Sequence, residues 1–222
     1  IPEIVPICTN ETVLVDAGPG FDSYSWSDGR TGQTILIDTP GNYNVTVNQN
    51  YARVTCSATK DFTVVSSSVA RIVDIEITDW TDTENAIKII PSGTGIYEYS
   101  LNGISYQPEN VFYGLPSGSY TIYVKDENGC GIVEKEVFLL MYPKFFTPNG
   151  DGFNDSWRIP FAESESGIQV QVFDKFGKLL KMFGNGSWDG KVNGQLLPAE
   201  DYWFILTLPD GKMHKGHFSL KR

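Results

Sequence analysis

The chain has 222 residues, with 27 acidic and 17 basic side chains, a formal net charge of −10 and 13% aromatic residues. Such acidity excludes a nucleic-acid-binding surface as the main function, because phosphate binding needs a basic face. No apolar run approaches the ~20 residues of a membrane-spanning helix, so no transmembrane segment is expected. The start at Ile1, with no charged and apolar leader pattern, fits a mature form or a fragment of something longer.

Frequent Gly, Pro, Tyr, Val and Thr between short apolar runs predict an all-β protein. Charge is uneven along it. Residues 1–140 carry 7 basic and 18 acidic side chains, whereas residues 141–222 carry 10 and 9. That step marks a domain boundary near Met141.

In chain order, strands are expected at Thr12 to Asp16, Ser23 to Ser27, Thr34 to Ile37, Tyr43 to Val47 and Lys60 to Val65, with Trp26 in the core. Ser66-Ser67-Ser68 reads as a linker. A strand then begins at Ile72, and Tyr97 to Gly103 predicts a hairpin closing on Asn102-Gly103. Ile168 to Asp174 alternates cleanly, Lys175-Phe176-Gly177 can turn with Gly in the left-handed region, and Lys178 to Phe183 returns. Tyr202 to Leu208 is expected to pair with Met213 to Leu220 across Pro209-Asp210-Gly211.

One phrase occurs three times: a Pro-containing turn, a Tyr and an alternating strand. It stands at Pro40 to Val47 with Tyr43, at Pro116 to Val124 with Tyr120, and at Pro198 to Leu206 with Tyr202. The near-equal spacing predicts three tandem immunoglobulin-like β-sandwich modules at 1–68, 69–140 and 141–222.

Cys8, Cys56 and Cys130 lack the short paired spacings of zinc or redox sites. Cys8 and Cys56 lie near the two ends of the first module, and a disulfide between them would stabilise by roughly 4 kcal/mol. It would also favour an oxidising, exported setting. Two separately buried thiols are the alternative, and Cys130 is expected to be a small core residue without a partner.

Asn149, Asp151, Asn154 and Asp155 around Gly152 offer oxygen ligands, so calcium is the one cofactor to consider. Counting from Thr147, the twelfth position is Arg158 where an EF-hand needs Glu, so that architecture is excluded. The alternative is an Asx-rich turn bonding its own backbone. His214 and His217, at odd separation on one strand, should point to opposite faces and cannot share a metal. No catalytic motif occurs, and no enzyme is expected. A carbohydrate-binding platform built from Trp80, Tyr97, Tyr99 and Tyr106 is the main rival reading.

Certain segments resemble known families. Tyr24 to Gly29 is similar to the Trp strand and turn of polycystic-kidney-disease-type domains, without that family's fuller Gly-Asp-Gly ending. Tyr120 to Cys130 resembles surface repeats of gliding-motility adhesins of the Bacteroidetes. Five motifs in order cover the last module: Phe146 to Asp155, Val172 to Lys178, Trp188-Asp189-Gly190, Leu197 to Trp203 and Lys215 to Arg222. Together they resemble the type B C-terminal sorting domain of the type IX secretion system, also called the gliding-motility-associated C-terminal domain. The resemblance implies a folded signal for export through periplasm and outer membrane to the cell surface. The implied partners are the translocon and outer-membrane shuttle or anchor proteins, with surface polysaccharide a further one for the adhesin. A cleaved domain of a secreted enzyme is the other cargo such a signal could serve.

Two stretches are candidates for recognition by that machinery: Thr147, Pro148, Asn149, Gly150, Asp151, Gly152, Asn154 and Asp155, and the terminal strand with Lys215, Gly216, His217, Phe218, Leu220, Lys221 and Arg222. The terminal strand is expected to offer an unpaired edge to a partner sheet, with its basic groups meeting acidic ones.

Overall fold

The computed structural model describes residues 1–81, 83–160 and 167–222, and every regular element among them is a strand. They form two compact units. One comprises Ile1–Glu76, Lys88–Asn110 and Thr121–Lys135, the other Ile77–Ile87, Val111–Tyr120 and Glu136–Arg222.

The first unit opens with β1 (Ile4–Cys8), β2 (Val13–Asp16), β3 (Ser23–Trp26), β4 (Thr34–Ile37), β5 (Gly41–Tyr51) and β6 (Val54–Ser67). One sheet has the order β1-β6-β5-β3, with β1 parallel to β6, and the other pairs β2 with β4. Alternation puts Val5, Ile7, Trp26, Val45, Phe62 and Val64 into a shared core with Val15, Ile35 and Ile37. Trp26 is 2% exposed and meets Phe62 edge to face, so its role is packing.

Next come β7 (Arg71–Thr78), β8 (Asn85–Ser92), β9 (Tyr97–Ser100), β10 (Val111–Leu115), β11 (Gly118–Asp126) and β12 (Ile132–Leu139), in sheets of order β10-β8-β7 and β12-β11-β9. The division between the two units runs through β7, β8, β11 and β12.

The second unit ends in β13 (Phe145–Phe146), β14 (Gln169–Phe173), β15 (Leu179–Phe183), β16 (Lys191–Val192), β17 (Gln195–Leu196), β18 (Asp201–Thr207) and β19 (Met213–Leu220). The main sheet has the order β13-β19-β18-β14-β15. The hairpins β14–β15 and β18–β19 fall where alternation and turn residues predict them, and Gly177 has the expected left-handed φ of 78°. Inside lie Phe146, Trp157, Trp188, Tyr202, Phe204 and Phe218, with Trp157 stacked on Phe218 at 4.0 Å between ring centroids. The indole N–H of Trp157 donates to the Pro143 carbonyl, and that of Trp188 to Lys191, so neither polar edge is orphaned.

The repeated phrase has one local cause. Tyr43 donates to the Thr39 carbonyl, Tyr120 to Pro116 and Tyr202 to Pro198, each four residues back and each at 2.8 Å. This is the tyrosine corner of immunoglobulin-like sandwiches, which pins the chain as it enters a late strand. Burial pushes the Tyr202 phenol up to about 12, with the Glu200 charge adding to the effect. The hydroxyl therefore remains a donor.

The cysteine pairing differs from expectation. Cys8 is bonded to Cys130, with 5.5 Å between Cα atoms, and Cys56 is free and exposed. The register explains this. Cys8 lies opposite Ser67 on β6, whereas Cys56 is eleven residues further back along the same strand, about 36 Å away at ~3.3 Å per residue. Cys130 sits instead on the turn after β11, where its amide donates to the Asp126 carboxylate.

Ser66 to Ser68 is likewise no loose linker. β6 continues through Ser67, which is fully buried and donates to Asp126 at 2.8 Å, while Asn128 donates to the Ser67 hydroxyl. Asp126 is 1% exposed. Its two carboxyl oxygens accept the Ser67 hydroxyl and the Cys130 amide, the partners a buried polar group requires.

Candidate functional site

The loop from Thr147 to Asp155, ahead of the terminal sheet, is built by its own side chains. The Asp155 carboxylate accepts the amides of Gly150 and Gly152, Asp151 accepts that of Phe153, and Asn149 accepts that of Asp151. Asn149 also donates to Asp151 at 2.8 Å, and the Thr147 amide donates to the Asn154 carbonyl. The Phe153 amide, followed by the Asn149 amide group, holds the Asp151 carboxyl below the usual carboxylate range. The proposed calcium ligands Asn149, Asp151 and Asp155 are thus engaged by the loop. Among the described residues no group of three or more His, Cys, Asp or Glu is placed to hold a metal ion. The result is a preformed, exposed loop carrying Phe153 at 76% exposure on its tip.

The terminal strand departs from its expected role as an edge. β19 lies between β13 and β18, paired with β18 from Asp201↔Ser219 to Thr207↔Met213 and in parallel with β13 at Phe145↔Ser219 and Phe146↔Leu220. Alternation then sorts the candidates. Phe218 and Leu220 are core residues at 0% and 2% exposure, so they cannot be surface contacts of the folded module. Gly216 also faces inward, where a Cβ would lie 2.6 Å from the Phe204 ring and 2.9 Å from Tyr142. Lys215, His217, Lys221 and Arg222 are the exposed members.

The two histidines face opposite sides as predicted. His217 sits outward beside Trp203, with 6.5 Å between centroids, while His214 stacks on Trp80 at 3.9 Å and 11°. Around His214 lie Tyr142 and Phe204, and Lys144 caps the Tyr142 ring at 3.9 Å. Burial, then the Lys144 charge, pushes the His214 imidazole down, and its Nε2 is buried without a hydrogen-bond partner. Asp79, pushed up by burial, accepts the Leu140 amide, and Leu140 accepts the Trp80 amide. Trp80 is therefore clamped by packing and backbone bonds within this unit. Neither this stack nor the Cys8–Cys130 bond was legible in the chain, because both join residues remote in sequence.

The four aromatic residues of the carbohydrate reading are each engaged within their own unit. Trp80 is covered by His214, Tyr99 is buried, and Lys125 lies over the Tyr106 ring at 4.5 Å. The Tyr97 hydroxyl is spent on the Ser68 carbonyl and the Gly95 amide.

Residues 140–220 match the family described as the CHU_C type IX secretion signal domain. No curated protein matches the chain. Among solved structures it is similar to immunoglobulin domains 1–5 of Sidekick-1, at 10% identity and a TM-score of 0.40, covering 98% of this chain and 56% of that one. It is similar to a three-domain immunoglobulin structure of titin at 12% identity and 0.33, covering 98% and 94%, and to the insect immune protein hemolin at 10% and 0.33, covering 99% and 75%. Residues 140–220 are a type IX secretion signal domain, and they direct export across the outer membrane to the cell surface.

Proposed function

We propose, from the type IX secretion signal at residues 140–220, that this chain is the C-terminal part of a large, non-enzymatic surface adhesin of a Bacteroidetes cell. It serves gliding motility. Modules 1–68 and 69–140 act as stalk, and module 141–222 is the export signal read by the translocon and by outer-membrane shuttle or anchor proteins. The observation that carries this reading is the coincidence of the secretion-family match with a five-stranded sheet and an aromatic core built mainly from residues of the matched span. A receptor gains affinity from a surface already in its bound shape. The self-bonded loop from Thr147 to Asp155 and the exposed basic side chains of β19 are surfaces of that kind.

The reading is tested on intact cells. Protease digestion should remove the native protein from the surface of cells with a working type IX translocon, and the protein should be protected inside cells whose translocon is disabled. Equal surface exposure in both would refute export by this route. Normal spreading of cells lacking the precursor would refute the gliding assignment.

A further inference from the structure

Antiparallel sheets with one buried face normally present polar side chains on the other. The β3, β5 and β6 strands of the first sandwich obey this, although its β2–β4 pair turns Leu14 and Leu36 outward. On the outward side of β3, β5 and β6 the registers align Ser25 with Thr46 and Thr59, and Ser23 with Asn48 and Ser57. The terminal sheet does not. Its registers align Leu179, Phe173, Trp203 and His217 in one outward row across four strands, and Met182, Gln171, Ile205 and Lys215 in the next. Leu179, Met182 and Trp203 are 44%, 47% and 43% exposed. Between the two rows and the turn after β14 runs an open groove of about 610 Å³, lined by Phe173, Lys175, Trp203, Ile205, Lys215 and His217 among others.

Apolar surface of this kind, left in water, marks an interaction site. The charges around it say what fits. Of the carboxylates at its margin, Glu200 pairs with Lys175 at 2.8 Å, whereas Asp174 and Asp201 are turned to the backbone and to a hydroxyl: Asp174 accepts the amides of Phe176 and Lys178, and Asp201 accepts the Ser219 hydroxyl. Lys215 and Lys221 have no carboxylate partner among the described residues, and Lys221 is held over the exposed Phe145 ring at 4.4 Å. The face is an aromatic and aliphatic floor with two lysines, Lys215 and Lys221, that no carboxylate of the described residues pairs, beside the closed Lys175–Glu200 pair.

We propose that this outward face, with Phe173, Trp203 and Ile205 as its floor and Lys215 and Lys221 as its rim, docks an acidic protein segment bearing apolar side chains. That segment belongs to a component of the export machinery, an assignment resting on the sorting reading above. The apolar rows supply the desolvated anchor, and the lysines select an acidic partner and speed encounter. Trp203 is the expected hot spot, being large, rigid and central in both registers.

The test uses a reporter fused ahead of residues 1–222, with surface export measured for the unchanged chain, for Trp203→Glu, for Lys215→Glu and for the control Leu14→Ser on the first sandwich, where Leu14 is 62% exposed. Melting temperatures of the purified chains accompany it. Export is expected to fall at least about tenfold for Trp203→Glu and several-fold for Lys215→Glu. Melting should stay close to that of the unchanged chain, and the Leu14→Ser control should export normally. Failure of the unchanged chain to export would overturn the sorting reading itself. Undiminished export of both sheet variants beside a working unchanged chain would overturn the docking surface alone. So would loss of export in Trp203→Glu only together with lowered melting while Lys215→Glu exports fully, because the face would then be structural. Concentration-dependent dimers of the unchanged chain that Trp203→Glu abolishes would also overturn it, since the occupant would be a second copy.

Discussion

Replacing Cys130 by Ser should expose how strongly the first unit depends on its long covalent closure. The bond joins residues 122 apart, and removing a loop constraint of that size costs roughly 5 kcal/mol on the chain-entropy account. The replacement leaves the Ser67–Asp126 bond in place, so the loss should be close to the entropic term. With a urea dependence of about 2 kcal/mol per molar, the unfolding midpoint of this unit should fall by roughly 2.5 M. Two assays bear on it: urea unfolding with and without reductant, and peptide mapping after alkylation of the native chain. Mapping should label Cys56 alone and recover a peptide cross-linking Cys8 to Cys130. Recovery of a Cys8–Cys56 peptide, or an unchanged midpoint in Cys130→Ser, would refute the reasoning.

Gly216→Ala should destabilise the terminal module by about 2 kcal/mol or more, because its Cβ would stand 2.6 Å from the Phe204 ring in a filled core, and thermal unfolding reads this directly. Tyr202→Phe should cost about 1–2 kcal/mol by leaving the Pro198 carbonyl without its donor, and a loss below the error of chemical unfolding would count against the corner's importance. Acidification should weaken the second unit. The folded-state value of His214 is depressed, so the unfolded chain takes up its proton first, and stability present above about 6.5 is lost as pH falls from there through the folded value. Asp79, pushed up by burial, acts with the opposite sign in both chains, so the His214 contribution is read as a difference: between pH 7.5 and 5.5 the melting temperature of the unchanged chain should fall relative to that of His214→Phe. The self-bonded opening loop should show no calcium heat at millimolar concentration, whereas Asp155→Ala should loosen it and raise amide exchange at Gly150 and Gly152.

Much of the fold was legible because its causes are local. A tyrosine corner needs only a turn and a hydroxyl four residues on, so Tyr43, Tyr120 and Tyr202 announced themselves by spacing. The β14–β15 and β18–β19 hairpins followed from alternation and from turn residues between the strands. Pairings set by tertiary register were not legible. β1 joins β6 in parallel, which moves Cys8 to the far end of β6 and away from Cys56. Nor could the chain reveal that β19 is an interior strand, because edge and interior strands share one alternation pattern. Deleting residues 215–222 would therefore remove Phe218 and Leu220 from the core and report on folding more than on recognition. The outward rows of the terminal sheet escaped notice for a related reason. In Tyr202-Trp203-Phe204-Ile205-Leu206 both faces are apolar, and only the register shows which side chains meet water.

The central claim is that the last module carries the export signal. The direct measurement compares surface display of one reporter fused ahead of residues 1–222 and ahead of residues 1–140 in the same type IX-competent cells. The account predicts display of the first, with the second retained inside. Equal display of the two, or retention of both, would contradict it.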